Sequence, residues 1–262
     1  MYLNRLGKHI RQQDWFVVIV EVLIVIVGLT LAFQADRWWE ERGERKLEVV
    51  YVKRLISDIE SDIPQLENAI KFAQMRKDFV ELLMAVAQDP SMATRQPTSF
   101  LVAVDQASFT YTPTLNQNTY EDLRSTGNLR LIRNLEVKNQ MHDYYRFHES
   151  QRQFRPLQFS VEFHHFKLAN GVRSSEQVRF LQDKWLLVSP DDIEEVQNTD
   201  PGDPDEILAA ARRLQDRPEL VSWLTQLREM QMEQILINNT RMTKAEEVIE
   251  ALDEYYKSIE SQ

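Results

Sequence analysis

The sequence contains no cysteine and has only six glycines. The lack of cysteine does not locate the chain, because a bacterial periplasmic protein can lack disulfides as readily as a cytoplasmic one. The scarcity of glycine argues against the many tight turns that a mostly β protein requires. We therefore expect a helical fold.

Motifs that carry catalysis are also absent. The sequence has no G-x-S-x-G nucleophile elbow and no glycine-rich phosphate-binding loop. Its net charge is −10, whereas nucleic-acid binding requires a clustered basic surface. We therefore predict no enzymatic activity, no catalytic residue, no cofactor and no nucleic-acid partner.

A long hydrophobic run, WFVVIVEVLIVIVGLTLAF, covers residues 15–33 and contains a single charge, Glu21. As a helix, the run would be about 28 Å long, close to the thickness of the hydrocarbon core of a bilayer. Aromatic side chains, which favour the headgroup layer, flank it at both ends. The predicted interface anchors are Trp15 and Phe16 on one side and Trp38 and Trp39 on the other. The sequence therefore predicts one transmembrane helix.

A cleaved signal peptide is the alternative, because basic residues also precede the run. The run is long for a signal, and bulky Phe33 stands where a cleavage site ending at Ala35 needs a small side chain. A retained signal-anchor in the bacterial inner membrane is therefore expected. A short basic leader usually stays in the cytoplasm. Residues 1–14 are thus expected to be a cytoplasmic tail and the large domain to be periplasmic.

Hydrophobic spacing predicts two long helices after the span. The first seam alternates steps of four and three residues, which is typical of one face of a helix; it consists of Val52, Ile56, Ile59, Ile63, Leu66, Ile70 and Ala73. Pro64 is expected to kink this helix near Ile63 without breaking it. The second seam consists of Met242, Ala245, Ile249, Leu252, Tyr256 and Ile259. Each seam needs a partner, so the two helices are expected to pack antiparallel.

The predicted fold class is all-α, with one N-terminal transmembrane helix continuing into a long-helix antiparallel bundle with a smaller helical distal head. Its segments are a transmembrane helix over 15–33, a membrane-proximal long helix over 34–90, a head over 91–217 and a return helix over 218–262. Within the head, helix starts are predicted at Thr98, Thr119, Asn134 and Asp203. Gly127 is predicted to end the second of these helices in a left-handed conformation.

A spaced pattern around the membrane helix resembles a known family. The pattern is E-x6-G-x3-A-x-Q-x3-W-x-E, filled by Glu21, Gly28, Ala32, Gln34, Trp38 and Glu40. It is similar to the N-terminal signature of an uncharacterised family of bacterial single-pass membrane proteins, known only as a domain of unknown function. The segment 118–145 is similar to that family's second block, and the sequence differs from the pattern at Asp36, Arg37 and Trp39. The resemblance implies an anchored helical domain without an assigned activity.

Glu21 has the clearest physical requirement in the span. An ionised carboxylate facing lipid costs at least ~2.5 kcal/mol, so it should face protein or water. Gly28 and Ala32 follow it by seven and eleven residues and therefore share its face, and small residues four apart allow close helix packing. These three residues are the predicted helix–helix interface. In the alternative interpretation, Glu21 is close enough to Trp15 to reach the headgroups and Gly28 is incidental.

The histidines and aromatic residues of the head have ordinary explanations. Glu162 and His165 lie three apart, with His164 and His148 nearby, but a helical-bundle metal site needs a second carboxylate–histidine element and none is present. No metal site is therefore predicted. A group of aromatic residues at near-helical spacing is expected to be core: Tyr144, Tyr145, Phe154, Phe159, Phe163 and Phe166.

Two functions from different classes follow. The first is a non-enzymatic accessory subunit that packs against other transmembrane helices and scaffolds a larger complex, for example a respiratory or photosynthetic one. The second is a homo-oligomeric periplasmic module that binds a small ligand in its head. The partners expected are the lipid bilayer and the transmembrane helices either of a complex or of the protein's own oligomer.

Overall fold

The computed structural model describes residues 15–182, 190, 195 and 198–261, with the side chains of 15–18 and 182 excepted. All regular structure within these residues is helical. The α-helices are α1 (Trp15–Gln88), α2 (Pro97–Gln106), α3 (Asn118–Ser125), α4 (Leu135–Arg152), α5 (Arg155–Ala169), α6 (Ser175–Gln182), α7 (Pro204–Gln215) and α8 (Pro218–Glu260). Short 3-10 turns cover Pro90–Thr94 and Asn128–Leu131. The predicted all-α fold is confirmed.

Helix α1 has 74 residues and continues without interruption from the apolar run into the folded domain. At 1.5 Å per residue its length is about 110 Å. Pro64 lies inside this helix on the solvent side, where the loss of one amide donor is tolerated because water reaches the carbonyl left without it. The prediction that Pro64 would not break the helix is confirmed.

Helices α1 and α8 are antiparallel, and the predicted seams form their contact. Val52, Ile59 and Leu66 of α1 are fully buried, as are Ala245 and Leu252 of α8. Every other seam residue is buried or half-buried. Burying these faces removes apolar surface from water, at roughly 1.5–3 kcal/mol for each large side chain, and this drives the long helices together.

Two clusters of buried side chains lie at different heights along the α1–α8 pair. The distal cluster joins α1 at 75–86, the 3-10 turn, α2, α7 and the beginning of α8. The proximal cluster joins α1 at 51–66, α3, α4 and the end of α8. The segment 91–217, expected as one distal head, is therefore divided: residues 115–145 return along the long helices toward the apolar run.

Local signals for helix ends were mostly informative. Asn134 caps α4 by accepting from the amides of Glu136 and Val137, and Asp203 caps α7, as predicted. Gly127 has φ of +73° and follows α3, which confirms its predicted left-handed conformation. The predicted cap at Thr119 is wrong, since α3 begins at Asn118 and the Thr119 amide donates to the Asp58 side chain.

Thr98 likewise lies inside a helix rather than capping it, because α2 begins at Pro97. Its hydroxyl donates to the carbonyl of Thr199 at 2.6 Å. The threonine therefore ties α2 to a segment 101 residues later, a contact that the local sequence does not encode.

Candidate functional site

The predicted helix–helix interface lies on a part of α1 that no described residue of the chain covers. Glu21, Gly28 and Ala32 are all exposed, and a Cβ placed on Gly28 would meet no described atom within 4 Å. Their spacing puts them on one side of the helix. The structure thus brings the three residues together as a stripe and leaves the stripe open.

The apolar part of α1 is the one helix, among the described residues, that is long and apolar enough to cross a membrane. Its most apolar 18-residue window has a mean hydropathy of 2.0, and none of that window is buried inside the protein. The polar Thr30 is satisfied locally, since its hydroxyl donates to the Ile26 carbonyl at 2.7 Å. This local bond removes the cost of an unpaired hydroxyl in an apolar setting.

The predicted anchors after the run form a compact exposed group. The Trp38 and Trp39 rings meet edge to face with centroids 5.1 Å apart, and the Arg42 guanidinium lies 4.6 Å from the Trp38 ring. Aromatic and basic groups together suit the boundary between lipid and water. The side chains of Trp15 and Phe16, and the tail over 1–14, lie outside the described residues.

The exposed part of α1 enters the bundle through a polar junction centred on Glu48. The Glu48 carboxylate is buried and accepts a hydrogen bond from the Tyr255 hydroxyl. The Tyr255 oxygen in turn accepts from the backbone amide of Arg133 at 2.9 Å, and Glu44, one turn earlier, pairs with Arg130. Burial, followed by the bond to Glu48, raises the pKa of Tyr255. The end of α8 and the loop before α4 are thereby fixed to α1 where the bundle begins.

A second polar junction lies at Asp58 and Asp62, about three to four turns farther along α1. The Asp62 carboxylate accepts the Asn116 amide at 2.7 Å and the Tyr144 hydroxyl at 2.8 Å. Asp58 accepts the Asn116 side-chain amide and the Thr119 backbone amide, each at 3.0 Å. The two carboxylates therefore fix the loop before α3 and the middle of α4 to α1.

Burial sets the charge state of this second junction. It raises the pKa of Asp62 to about 6, against the bonds from Asn116 and Tyr144, which act to lower it; the nearby Asp58 adds to the rise. His148, one turn after Tyr144, shifts in the opposite sense: burial and the adjacent Arg241 lower its pKa to about 4. At neutral pH His148 is therefore uncharged.

The residues considered for metal binding are engaged in packing. His165 is buried with Nε2 2.7 Å from the Val104 carbonyl oxygen, and Glu162 accepts the amide and hydroxyl of Thr110 at 2.9 and 2.8 Å. His164 packs edge-on against Trp223 at 4.5 Å between centroids. Among the described residues no group of three or more His, Cys, Asp or Glu side chains is placed to hold a metal ion.

The expectation that six aromatic residues are core is correct for two of them, and Phe166 is half-buried with its ring 5.5 Å from that of Phe109. Tyr144 and Tyr145 are buried, as predicted. The prediction is wrong for Phe154, Phe159 and Phe163, because each has more than half of its surface exposed. Helix α5 lies on the outside of the bundle and buries only His165 and Ala169. Spacing alone identified a helix with an aromatic face but not which face meets the core.

One polar cleft offers room for a small ligand. It lies where α2, the end of α5 and the start of α6 meet, and has a volume of about 730 Å³. Asp105 and Arg173 pair at its wall, with both side chains largely buried, while Lys167 and Arg179 also line it. The pairing leaves the cleft with an excess of positive charge. Sequence reasoning missed it, since Asp105 is about 60 residues away in the sequence from the rest of the lining, which lies within 166–179.

Comparisons with protein-family models, with curated proteins and with solved structures find no match. The resemblance of the membrane pattern to an uncharacterised bacterial family therefore stays a prediction.

Proposed function

We propose that this protein is a non-enzymatic accessory subunit, anchored in the bacterial inner membrane by one helix, that scaffolds a larger membrane complex. The observation that carries the proposal is the continuity of α1. One helix of 74 residues extends from the open Glu21, Gly28 and Ala32 stripe to the distal cluster. A partner bound to the stripe is thus joined by an unbroken helix to a surface roughly 60 Å or more beyond the membrane.

The buried polar groups support a structural role. The carboxylates of Glu48, Asp58 and Asp62 are used to fix loops and helices to α1. Such bonds hold the bundle at a defined position relative to the span, which a spacer between membrane partners requires. The large domain is assigned to the periplasm and residues 1–14 to the cytoplasm on the basic leader that precedes the run.

A second candidate function, a homo-oligomeric periplasmic module that binds a small ligand, is favoured by the cleft at Asp105 and Arg173. Its volume and its extra cations suit a small anionic molecule. Binding there would act on α2 and α5, which pack against the distal part of the bundle.

Purification of the tagged chain from native membranes tests the proposal. We expect unrelated membrane proteins to copurify in fixed ratio, and Gly28→Leu to release them because a large side chain prevents close helix approach. Gly43→Leu is the matched control: Gly43 lies on the same helix outside the apolar run, and it too has no described neighbour within 4 Å of a Cβ. Equal retention of partners by both variants would refute the interface.

Protease treatment of intact spheroplasts tests the orientation. Digestion of the large domain from outside is expected, while protection would place it in the cytoplasm. The second candidate function predicts instead a pure homo-oligomer whose stability rises with an added anionic ligand, and loss of that response on Arg179→Gln.

A further inference from the structure

The open stripe of α1 faces away from the folded bundle. A helix turns by about 100° per residue, so Glu48, Leu55 and Ile59 point roughly 180° away from Glu21. These three side chains are buried against the bundle. A partner bound to the stripe is therefore clear of the bundle, and the side of α1 directly above the stripe is open to the same partner.

The side of α1 above the stripe is basic. Within residues 40–57, the positions that lie less than or about 60° from the line through Glu21 are all exposed. We call them the basic face: Arg42, Gly43, Lys46, Val50, Lys53, Arg54 and Ser57. The acidic residues of the same segment all lie roughly 100° or more from that line; they are Glu40, Glu41, Glu44 and Glu48. In a chain with a net charge of −10, the cations of this segment are thus sorted onto the side of the stripe.

The two cations farther from the apolar run are engaged by the chain itself. The Arg54 guanidinium lies 3.5 Å from the Asp122 carboxylate, and the Lys53 ammonium lies 4.9 Å from the Tyr256 ring. These contacts join α1 to α3 and to the end of α8. They account for Lys53 and Arg54 without any partner.

The two cations nearer the apolar run, Arg42 and Lys46, have no carboxylate partner. Arg42 lies over the Trp38 ring, and among the described residues neither cation forms an ion pair. They are about 5 and 10 Å beyond Trp39 along the helix. Exposed cations left unpaired at this height suit an anionic neighbour.

Anionic lipid headgroups are one such neighbour, since they attract basic residues close to a membrane span. Lipid, however, surrounds an anchor on every open side. Glu40 and Glu41 are exposed at the same height as Arg42 and point away from the basic face, where they would repel anionic headgroups. The sorting of charge around α1 therefore favours a neighbour that is present on the side of the stripe alone.

A second copy of this chain does not suit the basic face. Two copies anchored in one membrane are parallel, and a two-fold contact through the stripe places each residue opposite the same residue of the other copy. Glu21 would then meet Glu21, and Arg42 and Lys46 would meet their own counterparts outside the apolar run. Both contacts bring like charges together, which disfavours self-association through this side of α1.

A different protein can satisfy the stripe and the cations together. Helices that pack through small residues four apart commonly cross at about 40°, so the backbone of the partner moves away from α1 beyond Gly28 and Ala32. At the height of Gly43 the gap is bridged only by long side chains. Arg42 and Lys46, on either side of that glycine, are long enough to do so.

We propose that the partner on the stripe is a different membrane protein that carries acidic side chains within about 10 Å of its exit from the bilayer, and that Arg42 and Lys46 pair with them. This inference rests on the accessory role proposed above and specifies its partner. The small residues set how closely the two helices approach, and the cations select which protein is bound.

Charge reversal on the full tagged chain, purified from native membranes, tests the proposal. Arg42→Glu with Lys46→Glu should lower the yield of the copurifying partner by about tenfold or more, because two attractive contacts become repulsive. Arg42→Lys with Lys46→Arg keeps both charges and should retain the partner. The matched control is Glu40→Lys with Glu41→Lys, which reverses two exposed charges at the same height on other sides of α1; it too should retain the partner. Full retention by the Arg42→Glu and Lys46→Glu variant would overturn the proposal.

A charge exchange identifies the contact on the partner. The copurified protein is identified by mass spectrometry, and the acidic residues in the first two turns after its membrane helix are changed to lysine. These changes should restore binding to the chain with Arg42→Glu and Lys46→Glu. A partner without acidic residues there, or an exchange that restores nothing, contradicts the pairing. Thermal unfolding of each variant checks that the bundle is intact.

The other two occupants have their own readouts. Coexpression of two differently tagged copies tests self-association: a second copy that copurifies with the first and is lost with Gly28→Leu would overturn the proposal. Native mass spectrometry of the complex tests lipid. If the Arg42→Glu and Lys46→Glu variant keeps the partner but loses bound anionic lipid, the cations belong to lipid and the pairing is refuted.

Failure of this inference differs from failure of the accessory role. Release of the partner by Gly28→Leu, with retention by the Arg42→Glu and Lys46→Glu variant, refutes the charge contact and leaves the accessory role in place. An unchanged chain that copurifies with no unrelated membrane protein refutes the accessory role, and the inference about its partner with it.

Discussion

The hydroxyl of Tyr144 donates a hydrogen bond to Asp62 at 2.8 Å, across 82 residues of sequence. This bond joins α4 to α1 within the proximal cluster, next to the carboxylate's second bond from the amide of Asn116. The carboxylate is thus a fixed point between two helices and a loop, and its charge state bears on the stability of the whole domain.

Acidification should act on Asp62 in the stabilising direction. The pKa of Asp62 is raised to about 6 from its ordinary 3.8, so between pH 7 and pH 4 the folded chain takes up a proton earlier than the unfolded chain. Uptake by the folded state adds stability as the pH falls through 6, on the order of 1 kcal/mol once solvent screening is included. Asp62→Asn removes this gain. Thermal unfolding between pH 7 and pH 4.5 should therefore show the variant losing more stability than the unchanged protein; identical pH slopes would contradict the assignment.

His148 should act in the opposite direction. Its pKa is lowered to about 4 from 6.5, so the unfolded chain binds the proton first as the pH falls through 6.5. Stability is therefore present above about pH 6.5 and is lost progressively down to pH 4. His148→Gln removes the titrating group, and its unfolding temperature should depend less on pH over this range. A steeper dependence in the variant would contradict the buried, uncharged state.

Removal of the Tyr144 hydroxyl should destabilise the domain. Tyr144→Phe leaves the ring packing in place but takes a donor from a buried carboxylate, which costs roughly 1–3 kcal/mol. The matched control is Tyr111→Phe, whose hydroxyl bonds to Gln65 at an exposed position; its effect should stay within about 0.5 kcal/mol. Chemical denaturation of the two variants gives the comparison, and equal losses would show that the Tyr144 bond is not special.

The same substitution at two glycines should have opposite effects. Gly127 has a φ of +73°, where an alanine side chain is strained, so Gly127→Ala should cost roughly 1 kcal/mol. Gly43 lies in an exposed helical turn of α1 with space around it, so Gly43→Ala should add roughly 0.5–1 kcal/mol to the stability of that turn. Thermal unfolding followed by helix content measures the change in stability of both variants. A stabilising Gly127→Ala would show that its turn is free to change conformation.

Local sequence patterns were sufficient for the elements that a single chain segment specifies. The two long helices follow from seams of apolar residues at three- and four-residue steps, and the caps at Asn134 and Asp203 follow from side chains that accept from amides two or three residues ahead. Local patterns failed where contacts with distant segments determine the position of a residue. Thr119 is a residue type that often caps helices, but it lies inside α3. Its backbone amide donates a hydrogen bond to Asp58, 61 residues earlier.

The sequence by itself determined an all-helical chain with one apolar helix suited to a membrane. It also placed a glycine and an alanine on the same face of that helix as its single charge, and it specified two amphipathic helices whose apolar faces pack against each other. Periodicity and hydropathy are properties of neighbouring residues, so they can be recognised without knowledge of the fold. Only the tertiary structure decided that Glu48, Asp58 and Asp62 are buried junctions and that Phe159 and Phe163 face outward. A side chain's burial and pKa depend on what distant segments place against it, and that information first exists when the helices pack.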